Sequence, residues 1–275
     1  MAYSILDLYR KVLPKTNCRD CGLATCLAFA GMVISEKLDL KKCPHLPPDV
    51  VDRVQSELDE QHSKGKWTKR DLAQDALAWA KERAASTRLE DLPDRIGGTL
   101  RRQGDTVFLE LPYFGGTVHI QEQGVTKEDG SPLNRWEQVF LYNHMAMGGS
   151  RAPQGIWKGL EQIPNTVSKV KSMRDSVEEP LIERFRGHFR ELFAAGTTLG
   201  GLDVKEQHPT ADVALLFRAL PKVPVLLLFW DEEETERFDA RVKLLFDETI
   251  VEHLDIESMI FLSERLRQLL CGQED

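Results

Sequence analysis

Val213-Ala214-Leu215-Leu216-Phe217-Arg218-Ala219-Leu220-Pro221-Lys222-Val223-Pro224-Val225-Leu226-Leu227-Leu228-Phe229-Trp230 decides the fold class. Two apolar runs, 213–220 and 225–230, flank a Pro-Lys-Val-Pro link. Continuous apolar runs this short, bounded by prolines, read as strands buried on both faces. Residues 242–246 add a further strand of the same kind. Upstream, 106–111 and 117–120 read as paired strands joined by the turn-rich Pro112-Tyr113-Phe114-Gly115-Gly116. Between the two strand groups lies a helix over 134–147, stopped by Gly148-Gly149. Pro180 opens another, with Glu178 and Glu179 near its start, Leu181, Phe185, Phe189, Leu192 and Phe193 on one face, and Gly196 as its stop. A last helix starts near Asp255, with Met259, Leu262, Leu266, Leu269 and Leu270 turned inward. Strands, helices, strands and a helix in blocks predict an α+β domain rather than a doubly wound sheet.

The chain has 275 residues, 41% of them hydrophobic and 29% charged, which suits a packed core and excludes a wholly disordered protein. A formal charge of −8 argues against general nucleic-acid binding, which needs concentrated Lys and Arg. No apolar run approaches the roughly 20 residues that span a bilayer, and the first ten residues lack a secretory pattern. The sequence therefore predicts a soluble cytoplasmic protein, with no nucleic-acid or membrane partner.

Cysteine usage separates the N-terminal end from the rest. Cys18, Cys21, Cys26 and Cys43 fall within 26 residues, spaced Cys-x2-Cys-x4-Cys-x16-Cys and followed by Pro44. Disulfides are improbable in a reducing compartment, so four clustered thiols read as metal ligands. A Cys-x2-Cys turn places two sulfurs on neighbouring corners of one inorganic core, Gly22 lets the next loop pass close, and a helix over 27–38 carries the chain out and back to Cys43. One short pair followed by two single cysteines favours an iron–sulfur cluster, while a tetrahedral zinc site also takes four Cys. Residues 1–48 hold seven Lys or Arg against four Asp or Glu, and Lys15, Arg19, Lys41 and Lys42 suit an anionic cofactor. Cys271, beside the last helix, reads as a terminal thiol and not a fifth ligand. The expected organisation is a small helical cluster domain over 1–48, a charged helical connector over 49–68 (Val50 to His62, then Ser63-Lys64-Gly65-Lys66), and a larger mixed α+β domain over 69–275. Thr68 caps the first helix of the latter, whose Leu72, Ala76, Trp79, Ala80 and Arg83 share one side, with Trp79 as a core anchor.

The stretch Leu13-Pro14-Lys15-Thr16-Asn17-Cys18-Arg19-Asp20-Cys21-Gly22-Leu23-Ala24-Thr25-Cys26-Leu27-Ala28-Phe29-Ala30, ending at Cys43-Pro44, resembles the four-cysteine cluster domain of the large subunit of corrinoid/iron–sulfur proteins. The resemblance implies one [4Fe–4S] cluster on Cys18, Cys21, Cys26 and Cys43, supplying single electrons that return an oxidised corrinoid to its reactive state. The remainder does not read as that family's corrinoid-binding barrel, being too short after residue 48 and without barrel spacing. It resembles instead an uncharacterised family often found behind the same cluster motif. The stretches that carry this are Trp79-Ala80-Lys81-Glu82-Arg83-Ala84, Glu90-Asp91-Leu92-Pro93, Leu111-Pro112-Tyr113-Phe114-Gly115, Leu220-Pro221-Lys222-Val223-Pro224 and Leu245-Phe246-Asp247.

The larger domain has no Gly-x-Gly-x-x-Gly, phosphate loop, His-Glu-x-x-His or Gly-x-Ser-x-Gly, and no catalytic residue is assigned. Its paired glycines read as turns. His119, on a strand, and His144, on a helix, with Tyr113 and Tyr142 near them in sequence, are candidate ligands that read first as structural. The acidic run Asp231-Glu232-Glu233-Glu234-Thr235-Glu236 reads as a solvated loop and, second, as a docking face. Three functions fit: a one-electron carrier of anaerobic metabolism serving a redox protein partner; a reductase whose larger domain binds a substrate or cofactor, such as a corrinoid, that the cluster reduces; and a zinc-stabilised interaction module.

Overall fold

Each of the two units of this chain, residues 1–75 and 76–275, has its own core. The computed structural model describes residues 3–64, 72–232 and 238–273. Gly65, Lys66, Thr68 and the 233–236 part of the acidic run lie outside the described residues, as does the side chain of Leu72.

The first unit is helical. Helix α1 (Ile5–Lys11) is started by a Ser4–Asp7 capping box, α2 (Cys26–Glu36) by Thr25, and α3 (Pro48–Ser63) by a proline in its first turn. Leu8, Phe29, Val33 and Ile34 meet Leu40, from a short 3₁₀ turn (Leu40–Lys42), in one core. The charged run after residue 48 contributes to that core, because Val51, Val54 and Leu58 recur at helical spacing on α3 and are buried. Gln61 of α3 accepts from the Tyr3 amide (2.6 Å) and donates to its carbonyl (2.9 Å), fixing the start of the chain.

The second unit is mixed α+β. Helices α4 (Leu72–Ala84) and α5 (Leu92–Ile96) precede an antiparallel sheet of β1 (Thr99–Gln103), β2 (Thr106–Tyr113), β3 (Gly116–Gln121) and β4 (Gly124–Lys127), in that order. Phe114 takes φ +48° in the tight β2–β3 turn, and its amide donates to the Ala219 carbonyl (3.1 Å) of the second sheet. There follow α6 (Arg135–Met147), β5 (Trp157–Gly159), α7 (Val167–Met173), α8 (Glu179–Phe185), α9 (Phe189–Thr198), β6 (Leu202–Asp203), β7 (Val213–Leu220), β8 (Val223–Trp230), β9 (Arg241–Asp247) and α10 (Ile256–Leu270). The second sheet runs β5-β9-β8-β7-β6, all antiparallel. The unbroken apolar runs of β7 and β8 are explained by cover on both faces. Val213, Leu215 and Phe217 face the main core, while Ala214, Leu226 and Leu228 pack with Trp157 and Val204 on the other side.

Three sequence expectations are corrected. Trp79 is not a core anchor: it is 64% exposed, and α4 buries Leu77, Ala80 and Ala84 instead. Pro180 stands in the first turn of α8, with Glu179 before it, but α8 is not a separate helix. The helical path starts at Val167, and a π turn (Arg174–Glu178) stands where the proline's missing N–H interrupts the α ladder. Nor does one helix run on to Gly196. The chain breaks at 186–188, with Gly187 at φ +72°, and Gly196 sits inside α9. A Cβ there would come within 2.3 Å of Leu215, so this glycine is a point of close helix–sheet approach. Among the described residues, no helix is long and apolar enough to cross a membrane.

Candidate metal centre

The loop between α1 and α2 is built from backbone conformations that ordinary residues avoid. Lys15, Asn17 and Arg19 take φ of +62°, +52° and +70°, and Gly22 follows at +82°. Left-handed residues alternating with others curl the chain tightly, the kind of backbone that gathers amide N–H groups into anion-binding concavities. Such conformations cost each non-glycine residue about 1 kcal/mol or more and persist where the surroundings enforce them. Here Gly22 donates to the Arg19 carbonyl (2.8 Å), closing the Cys18–Cys21 turn. Asn17 Oδ1 accepts from the Cys26 amide (2.8 Å), tying the loop to the first turn of α2.

Cys26 is thus the first residue of an 11-residue helix whose N-cap, Thr25, accepts from Ala28 (3.0 Å). The Cys26 sulfur therefore sits at the N-terminal end of the α2 dipole. Cys43 ends the 3₁₀ turn Leu40–Lys42. Asp39 accepts from the Lys41 amide (2.8 Å), and Gln55 of α3 accepts from the Leu40 amide (2.9 Å). Two residues on, His45 Nε2 lies 2.5 Å from Asp20 Oδ2, so the second cysteine segment is joined to the first. Cys26 and Cys43 are each 7% exposed and belong to the first unit's core, Cys21 is half-buried and Cys18 is exposed.

Burial pushes the Cys43 thiol up, and negative charge on Cys21, Cys26 and Cys18 pushes it further, while the His45 amide pulls it down. The Asp20 carboxyl is lowered by His45 and then by Cys18. Cys18, Asp20 and His45 offer ligand atoms within 4.8 Å of one another. A set of four thiols, two of them buried against an apolar floor and one at a helix N-terminus, fits an anionic iron–sulfur core better than a hard cation. Asn17, Gln55 and the Asp20–His45 contact escape a sequence reading, because each partner lies nine or more residues away. Thr25 alone carries a local signal, a capping residue just before an apolar helical run.

Residues 88–269 match the family described as "Domain of unknown function (DUF3786)". The chain belongs to the DUF3786 family. Residues 13–45, outside that match, fit the family described as "Putative Fe-S cluster". Over 56 residues the chain is 40% identical to the acetyl-CoA decarbonylase/synthase complex subunit gamma of Methanothermobacter thermautotrophicus, covering 20% of this chain and 12% of that one. Over 41 residues it is 49% identical to the corrinoid/iron-sulfur protein large subunit of Moorella thermoacetica, covering 15% of this chain and 9% of that one. A longer match, 25% identical over 177 residues, joins it to subunit gamma 2 of Methanosarcina thermophila, covering 64% of this chain and 33% of that one. The chain thus matches only a minor part of each of these relatives. No solved structure matches it. Both resemblances read from the sequence, the four-cysteine stretch and the uncharacterised domain behind it, are borne out.

In the DUF3786 unit the candidate side chains have structural partners. His119 packs at a tilt against Phe108, with ring centroids 4.5 Å apart and planes at 44°. Tyr113 donates to Glu137 Oε1 (2.7 Å), which also accepts from Arg265 Nε (2.8 Å) beside a cavity of about 330 Å³. His144 is buried and bonded to the His253 carbonyl (2.9 Å). Tyr142 lies under the Lys81 ammonium, 5.6 Å from its ring centre. Cys271 caps the end of α10, with its thiol raised by burial.

Proposed function

We propose that the N-terminal unit holds one [4Fe–4S] cluster on Cys18, Cys21, Cys26 and Cys43, and that this DUF3786 protein passes single electrons to a protein partner in anaerobic metabolism. The observation that carries the reading is the return of the Cys43 segment to the Cys18–Cys21 turn, through the Asp20–His45 contact (2.5 Å), with Cys26 and Cys43 buried in one core. When bound, such a cluster supplies one-electron chemistry at a potential set by burial and by hydrogen bonds to its sulfurs. The chain's own residues do the rest. Asn17, Thr25 and Gln55 fix the cysteine-bearing backbone, the N-terminus of α2 and the curled 15–22 loop offset negative charge, and the apolar core limits water on the inner side. A reducing compartment such as the cytoplasm keeps the thiols available. The acetyl-CoA decarbonylase/synthase and corrinoid names of the relatives support a corrinoid-dependent or similar partner.

Anaerobic purification with metal and sulfide analysis tests the reading. The expected protein is brown, with about four irons and about four sulfides per chain and an EPR signal on dithionite reduction. Serine at Cys26 or Cys43 should abolish that signal. A colourless protein with one zinc per chain overturns the proposal.

A further inference from the structure

Surface charge around the cysteine loop is lopsided. Arg19, Lys41 and Lys42 are exposed, and none has an ion-pair partner among the described residues. Lys15, also exposed, donates to the Arg10 carbonyl (3.1 Å) and keeps its charge. The nearby carboxylates, Asp20 against His45 (2.5 Å) and Asp39 accepting from the Lys41 amide (2.8 Å), keep their charge, so Lys15, Arg19, Lys41 and Lys42 stand against these two. This cationic surface belongs to a chain whose formal charge is −8.

Exposure of the thiols adds direction. Cys26 and Cys43 face the core at 7% exposure each, whereas Cys18 is exposed. Electron transfer slows steeply with distance, so electrons reach a cluster held here most readily past Cys18. Arg19 follows Cys18 in sequence, and Lys41 and Lys42 lie on the segment that reaches the same edge through His45, which offers a ring nitrogen within 4.8 Å of the Cys18 sulfur. Leu27, 43% exposed and next to Cys26, adds apolar contact area. Exposed charges of one sign raise encounter rates with oppositely charged partners by about 10- to 1,000-fold at low salt, an effect lost on screening.

We propose that the Cys18 edge, with Arg19, Lys41 and Lys42, is the docking face for an acidic one-electron carrier protein that reduces the cluster. This rests on the cluster reading above. In the step, the carrier loses one electron and the cluster gains one; no bond is made or broken and no proton moves.

The test is stopped-flow reoxidation of the dithionite-reduced, full-length protein by two small probes, ferricyanide as an anion and hexaammineruthenium(III) as a cation. The expected ferricyanide rate falls several-fold as NaCl rises from about 20 mM to about 500 mM, while the cation's rate rises or stays level. Lys41→Glu/Lys42→Glu should lower the ferricyanide rate about tenfold at low salt and flatten or reverse its salt slope. Lys169→Glu/Lys171→Glu, the same charge change in the DUF3786 unit, should leave both unchanged. A flat ferricyanide slope in the wild type, or equal effects of the two double variants, overturns the docking face. If Lys41→Glu/Lys42→Glu fails to hold its cluster, the wild-type comparison of the two probes decides alone. Iron and sulfide counts precede every run: absence of a cluster sinks the parent reading, whereas a loaded cluster without charge preference sinks only this one.

Discussion

His144 donates through Nδ1 to the backbone carbonyl of His253, 2.9 Å away, and both imidazoles are wholly buried with ring centres 5.9 Å apart. Because a carbonyl only accepts, the proton of His144 sits on Nδ1; that of His253 sits on Nε2, which faces the Arg151 carbonyl at 3.0 Å. His144 Nε2 and His253 Nδ1 are thereby lone pairs, buried and without a hydrogen-bond partner among the described residues. Burial lowers the His144 pKa from 6.5 to about 4, with nearby His253, Lys222 and Arg95 adding to the fall and the His253 carbonyl opposing it. His253 is lowered too, by burial first.

An acid-sensitive DUF3786 unit follows. The unfolded chain takes up a proton near pH 6.5 and the folded one only near pH 4, so the stability is fully present above pH 6.5 and drains away as pH falls towards 4. The His144 contribution to that loss approaches about 3 kcal/mol. Urea midpoints measured from neutral pH downward should decline over this window. His144→Asn, which keeps a donor for the His253 carbonyl, should be weaker at neutral pH yet show a shallower acid limb. An unchanged limb would remove His144 from the explanation.

Lys222 supplies a second expectation. Its ammonium lies 2.7 Å from the Asp94 and Arg95 carbonyls, 3.3 Å from that of Ser150 and 3.5 Å from that of Gly149. It thus satisfies the carbonyl end of α5 and the segment just beyond α6 from the β7–β8 link. Lys222→Met keeps the stem and removes the donors, and should cost about 2 kcal/mol of DUF3786-unit stability. Lys222→Arg should not restore it, because a planar fork cannot aim at carbonyls gathered around one point. Thermal unfolding of the three proteins checks the order.

What the sequence reveals and what it hides have separable physical causes. β7 and β8 are legible because cover on two faces demands unbroken apolar runs. β1 (Thr-Leu-Arg-Arg-Gln) is not, since it is an exposed edge strand held by its ladder to β2, and β4 closes the opposite edge with four residues. Pro180 and Gly196 mislead because each acts through a neighbour: a π turn absorbs the one, and Leu215 requires the other to lack a side chain. At the cysteine loop the thiols are conspicuous by type and spacing. Their supports, Asn17, Gln55 and the Asp20–His45 pair, are ordinary polar residues whose partners only the fold brings near.

Gly196→Ala and Gly31→Ala should move stability in opposite directions. Both glycines lie inside helices. A Cβ at Gly196 would meet Leu215 Cδ1 at 2.3 Å and Phe217 Cζ at 3.3 Å, so overpacking of about 1–3 kcal/mol outweighs the helix-propensity gain. At Gly31 nothing lies within 4 Å, and only the gain remains, up to about 1 kcal/mol in the first unit. Hydrogen exchange, which reports each unit separately, is the measurement. A neutral Gly196→Ala would mean that α9 shifts freely on β7.

Glu137 and Arg265 are coupled through burial. Glu137 is 1% exposed and Arg265 8%, and the carboxylate also takes the Tyr113 hydroxyl and, through Oε2, the Asn134 amide (3.0 Å). Glu137→Gln removes the carboxylate charge from beside the guanidinium and should cost about 3–5 kcal/mol. Arg265→Met should cost a similar amount, by taking the guanidinium from a buried carboxylate that keeps only the neutral Tyr113 and Asn134 donors. The double variant should lose less than the two costs combined, by at least about 1 kcal/mol. Strict additivity in a double-mutant cycle would show that the pair is not a unit.

Asn17 separates backbone strain from hydrogen bonding at the cysteine loop. Its φ of +52° is one that Asn tolerates better than most residues, and its Oδ1 holds the Cys26 amide at 2.8 Å. Asn17→Gly removes the hydrogen bond and relieves any strain, whereas Asn17→Ala removes the bond and adds a left-handed cost of about 1 kcal/mol. Asn17→Ala should therefore be the less stable of the two in the first unit. With a cluster bound, both variants free the first turn of α2, so iron should pass to a chelator several-fold faster than in the wild type. Equal rates in Asn17→Gly and the wild type would mean that the cysteines alone position the helix start. A faster loss in Asn17→Ala than in Asn17→Gly would show that loop strain, beyond the Cys26 contact, governs how firmly the site is held.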